Sequence, residues 1–147
     1  MQSSELQALL DGSPLHRGLA LKVTDLTDSS LTLEGEAGEP HVNSATSRVV
    51  HGGALAVVLD AAATLVLVHV TGADWSTVDF RVDYLRPVFT GPLVVRAAPD
   101  HIGRRIGRAS AVLGSGGQGP PHARAVGTFA RSQPEAEPAP QPSEEKR

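Results

Sequence analysis

From Ala54 to Val70 the chain runs seventeen residues with one full charge, Asp60, and one other strongly polar group, His69. A run apolar on nearly every side, opened by Gly52-Gly53, reads as a helix buried inside a fold. Its length approaches that of a membrane span. A carboxylate at mid-run costs about 2.5–3.5 kcal/mol on an insertion scale, and neither flank carries a basic cluster, so a soluble core is the better home. The β-branched stretch Leu65–Val70 has strand character, yet the Ala-rich opening and the total length favour helix. Asp60 must be paired or chemically employed to sit there. It is the first candidate for a working residue.

Short segments surround this helix. Ser3 or Ser4 is placed to cap a helix over 5–10, which stops near Asp11-Gly12-Ser13-Pro14. Residues 19–26 and 31–36 flank the turn Asp28-Ser29-Ser30 as a hairpin. A polar loop over 39–50, with His41, Asn43 and Arg48, delivers the chain into His51. Residues 77–85 alternate, with Val78, Phe80, Val82 and Tyr84 on one face and Asp79, Arg81 and Asp83 on the other. Residues 93–98, 105–113 and 123–130 are three more strands, set off by Gly- and Pro-bearing turns. Consecutive short strands pair antiparallel, and an all-apolar helix has to be covered by their sheet. The expected class is α+β, a curved antiparallel sheet wrapped around one long central helix, over residues 1–131. Residues 132–147 hold four prolines and four glutamates without an aromatic or branched aliphatic residue, which predicts a disordered tail.

A chain of 147 residues, 40% hydrophobic and with net charge −3, is one domain with no bulk basicity for nucleic acid. The absence of cysteine excludes disulfides, thiolate metal sites and a Cys nucleophile. The histidines lack ligand spacing with acidic partners, so no metal is expected. The opening residues lack the basic start and apolar block of a signal peptide, which makes the cytoplasm the expected location.

A helix beginning near Gly52 aims free first-turn amides and the positive end of its dipole outward, and glycines there let a ligand oxygen approach. Such a terminus suits a developing oxyanion. Asp60 lies seven residues beyond Gly53, about 10 Å along the axis, and roughly half a turn out of phase with His51. One chain does not easily bring both to one substrate atom. Two chains with antiparallel long helices related by a twofold axis can.

A polar loop, His51-Gly52-Gly53, then Asp60 resembles the PaaI-type acyl-CoA thioesterases of the hotdog-fold superfamily. So do, in order, the stretch from Thr77 to Pro87, His101-Ile102-Gly103-Arg104-Arg105, and Ala123 to Phe129. The resemblance covers roughly residues 15–129. It implies a hotdog fold, a dimer or dimer of dimers with active sites at the dimer interface, and hydrolysis of an acyl-CoA substrate without a further cofactor, nucleic acid or membrane. Asp60 is then general base or nucleophile, the Gly52 amide polarises the thioester carbonyl, and His51 shapes that end. Thr77, or in another register Ser76, positions water beside Asp60. Gly53, Val78, Asp79, Arg86, Gly103 and Arg104 are the implied substrate contacts, with Arg104 first among the arginines suited to the phosphates of coenzyme A. The family's Asn falls six residues before the His, where this chain has Ala45. Asn43 or a neighbouring hydroxyl has to serve instead. Two rival readings are a non-catalytic acyl-CoA-binding protein and a hydratase or dehydratase acting on acyl thioesters.

Overall fold

The computed structural model describes residues 1–44, 46–114 and 119–132. Among these the order is α1 (Ser3–Gly12), α2 (Pro14–Gly18), β1 (Lys22–Thr27), β2 (Ser30–Ala37), a 3₁₀ turn (Glu39–His41), α3 (Gly52–Thr71), β3 (Trp75–Tyr84), β4 (Gly91–Ile102), β5 (Ile106–Gly114) and β6 (Ala123–Arg131). The six strands form one antiparallel sheet in the order β1-β2-β4-β5-β6-β3, and α3 packs against β2, β3, β4, β5 and β6. This is the α+β hotdog architecture, a curved sheet around a central helix.

Alternation on the strands explains the wrapping. Leu93, Val95 and Ala97 of β4, Ala109, Ala111 and Leu113 of β5, and Ala123, Ala125 and Phe129 of β6 are buried together with Val58, Leu59, Ala62, Val66 and Leu67 of α3. The alanines on both sides let the helix approach closely, while each buried Leu or Val contributes about 1.5–3 kcal/mol. The helix stops at Gly72, whose φ of 65° sends the chain into the left-handed region while its amide caps Val68 O at 2.8 Å. His69 sits in the last turn with its ring nitrogens 2.9 and 2.8 Å from Met1 O and Thr27 O. By length and composition α3 is able to cross a membrane, but 56% of its most apolar window is buried within the chain. Among the residues left partly open, Val57, Asp60 and Thr64 form a half-buried stripe running on from the exposed Gly53.

Several expectations are corrected. Gln2, not Ser3 or Ser4, stands at the N-cap of α1, because the Glu5 carboxylate reaches back to accept its amide at 2.7 Å. The first strand starts at Lys22 rather than Leu19. Leu19 closes the short helix α2, and Ala20, at φ 49°, breaks the extended run. β4 extends through Pro99, which falls at a register shift where the ladder loses a bond anyway. In β3 only Phe80 and Val82 of the alternating apolar set pack on the core. A bulge between Thr77 and Asp79 throws Val78 outward, 64% exposed, and Tyr84 is 53% exposed. The sheet's bonding runs on to Ser132, whose amide donates to Asp74 O at 2.9 Å. Residues 133–147, assigned above to a tail, and Ala45 lie outside the described residues.

Candidate active site

Three groups of polar residues gather around α3. The first is its N-terminus. His51 stands at the N-cap in extended conformation, and its Nδ1 accepts the Gly53 amide at 2.8 Å. That leaves the Gly52 amide without an acceptor among the described residues. Tyr84, at the far end of β3, donates its hydroxyl to Gly52 O at 2.7 Å. A Cβ on Gly52 would stand 3.0 Å from the Tyr84 ring, and one on Gly53 3.0 Å from His51 Nδ1. The glycine pair is therefore what lets a phenol and an imidazole close around a first turn whose leading N–H points outward. Arg86 lines the same cavity and donates to Pro121 O at 2.9 Å.

The second group is centred on Asp60. Thr77 Oγ1 donates to Asp60 Oδ1 at 2.8 Å, holding one carboxylate oxygen and leaving the other for a ligand. Asp60 and Thr77 line a cavity of about 360 Å³ with Leu9, Leu10, His16, Ala61, Thr64, Leu65, Val68, Asp74 and Trp75. His16 has a buried Nδ1 with no hydrogen-bond partner. An unpaired buried N–H costs more than an unpaired lone pair, so this environment favours the neutral ring protonated at Nε2. Burial lowers the His16 pKa below its ordinary 6.5, and the Asp60 charge partly opposes the shift.

The third group is cationic. Arg104 and Arg105, in the turn from β4 to β5, line a cavity of about 620 Å³ with Arg131 at the end of β6. Gly103 shapes that turn through its amide's 2.9 Å bond to Ile106 O. Arg131 also stacks over the Trp75 ring, 5.7 Å from its centroid. Among the described residues no three His, Cys, Asp or Glu side chains are grouped to hold a metal ion.

The structure thus joins Asp60 to Thr77, gathers His51, Gly52, Gly53 and Arg86 about the helix start, and places Arg104 in a cavity that meets the Asp60 cavity at Asp74, with Gly103 in the adjoining turn. The cavities at Asp60 and at Gly52 share no residue. Val78 and Asp79 are exposed on the edge strand and line neither cavity. Asn43 is exposed in the preceding loop, its amide donating to Val49 O at 3.0 Å, and it too lines neither cavity. Sequence reasoning missed His16, Tyr84 and Arg131 as neighbours of these groups. Only the shared position of Tyr84 and His51 at one end of the fold offered a signal.

A sequence model of the Thioesterase superfamily matches residues 48–118, the span that carries both helix-borne groups and β3 to β5. Over that span the chain is similar to the thioesterase superfamily, and its fold is that of hotdog thioesterases. A solved structure of a thioesterase-superfamily protein is 26% identical, with TM-score 0.81, covering 87% of this chain and 96% of its own. A phenylacetic acid degradation-related protein of Ralstonia eutropha JMP134 is 25% identical, with TM-score 0.73, over 85% of this chain and 98% of its own. A thioesterase of Haemophilus influenzae, 17% identical over 90% of this chain and 91% of its own, shares the fold at TM-score 0.78. No curated protein matches the sequence. The similarity supports thioester hydrolysis as the general class of reaction.

Proposed function

We propose that this chain hydrolyses an acyl-CoA thioester in the cytoplasm, at sites each built by two copies of the chain. The observation that carries the reading is the pairing of Asp60 with Thr77 on a half-buried stripe of α3. The outward N–H of Gly52 lies two turns away in a separate cavity. A twofold axis beside the α3 stripe sets the Gly52 of one copy against the Asp60 of the other. The unpaired edge of β3, with Val78 bulged out of it, is the surface suited to that contact.

In this reading the free oxygen of Asp60 takes a proton from water as the water oxygen attacks the thioester carbon. The carbonyl electrons move onto oxygen, where the Gly52 amide and the α3 dipole stabilise the anion. Collapse breaks the C–S bond, and the proton held by Asp60 passes to the departing thiolate. A thiolate leaves readily, so one carboxylate suffices. Thr77 holds Asp60 in place, His51 and Tyr84 hold the helix start, and Arg104, with Arg105 and Arg131 beside it, receives the phosphates of coenzyme A. The attack of Asp60 itself on the thioester, through an anhydride, uses the same groups.

Release of free thiol from acetyl-, hexanoyl-, palmitoyl-, phenylacetyl- and benzoyl-CoA, with the parent and Asp60→Asn, tests this. Turnover of at least one ester that falls by two or more orders of magnitude in the variant is the expected result. Binding of the esters with no turnover by the parent would make the chain a non-catalytic acyl-CoA binder instead.

A further inference from the structure

The acyl group itself is not written in any motif, but the walls of the Asp60 cavity carry information about it. Resting on the acyl-CoA reading above, we propose that the helical pair α1–α2 is an acyl-length gauge that restricts this enzyme to medium-chain acyl groups. Asp60 and Thr77 mark where the thioester carbon must sit, and both open onto the cavity of about 360 Å³. Beyond them the lining is mostly apolar. Leu65 and Val68 of α3 form one side with Trp75, Leu9 and Leu10 of α1 with His16 of α2 form the cover, and Thr64 and Asp74 are the remaining polar side chains.

Hydrocarbon is the occupant this lining favours. The pantetheine arm of coenzyme A carries two amides, which lose their water against leucine and valine and meet only His16, Thr64 and Asp74 as polar neighbours, whereas each methylene gains from the same transfer. A methylene needs about the ~30 Å³ of a water molecule, so the cavity holds about a dozen such groups. Part of that space, at Asp60, belongs to the carbonyl and the water. About ten carbons remain. A sixteen-carbon chain has to displace α1–α2.

The cover is also the replaceable part. Leu10 is fully buried in the core, but Leu9 is 46% exposed, so a change there alters the cavity with little cost to the fold.

The test is a kcat/KM profile for straight-chain acyl-CoAs of four to sixteen carbons, with the parent, Leu9→Trp and His16→Ala. The parent is expected to peak between six and ten carbons and to fall at least tenfold by palmitoyl. Leu9→Trp, which fills the cavity, moves the peak shorter by two or more carbons. His16→Ala, which opens the cover, raises palmitoyl relative to octanoyl about fivefold. If His16→Ala does not fold, the shift in Leu9→Trp decides alone. A parent profile flat to sixteen carbons overturns the gauge, as do variants that change every ester by the same factor, the signature of a pantetheine channel. Absence of turnover on all esters overturns the acyl-CoA reading and the gauge together, whereas turnover without a length dependence overturns the gauge alone.

Discussion

The bond from Thr77 Oγ1 to Asp60 Oδ1, 2.8 Å long, is the contact in this site whose removal has the most legible consequence. Thr77→Val keeps the side chain's shape and β-branching, so the strand is undisturbed, and deletes only the donor. A hydrogen bond to a charged acceptor contributes about 1.5–3 kcal/mol. Thr77 is exposed in the single chain, so solvent screening discounts this to about 1–2 kcal/mol. If the carboxylate must be held for the water to lie in line with the thioester, that loss appears in the barrier as about a 5- to 30-fold fall in kcat. KM stays within about twofold, because the contact is to the base and not to the substrate. Thr77→Ser keeps the hydroxyl and restores most of the rate. Steady-state kinetics on the best ester checks both variants. A Thr77→Val enzyme with parental kcat would refute the claim that this hydroxyl positions Asp60.

Other consequences follow from the same geometry. Arg104→Ala with Arg105→Ala is expected to raise KM about tenfold for acyl-CoA with kcat nearly unchanged, and to weaken the salt dependence of kcat/KM; equal kinetics at low and high salt in parent and variant would remove these arginines from phosphate binding. Because burial holds the His16 pKa below 6.5, the unfolded chain binds more protons than the folded one near and below that pH, so stability falls as pH drops through about 6.5. His16→Gln flattens that part of the curve, which thermal melts between pH 7 and pH 5 will show; an unchanged slope would mean that the ring titrates normally in the fold.

The fold was legible where pattern and period are strict. A seventeen-residue apolar run has few alternatives to a wrapped helix, and Gly52-Gly53 ahead of it with Asp60 two turns on located the two polar groups it carries. The strands were legible for the same reason, apart from details that no local signal carries. The positive φ of Ala20 shortened β1, and a bulge at Val78 overrode a clean alternation. Residues joined only by the sheet's closure stayed hidden. Tyr84 meets Gly52 across 32 positions, Arg131 joins Arg104 from the last strand, and His16 reaches the Asp60 cavity from a helix too short to read. The loop before His51 was the least legible part. Asn43 was carried on type alone, and the chain places it in neither cavity.

The central claim is that one thioester is worked by Asp60 of one copy and Gly52 of another. Mixing two inactive variants tests it most directly. Asp60→Asn removes the base. Gly52→Pro removes the outward N–H at a first helical position that tolerates proline, with only the 3.0 Å approach to the Tyr84 ring to absorb. Co-expressed in equal amounts, half the dimers are mixed, and each mixed dimer has one of its two sites fully parental, so about a quarter of parental activity is expected to return. Activity that stays at the level of the separate variants would contradict the shared site and place both groups within one protomer.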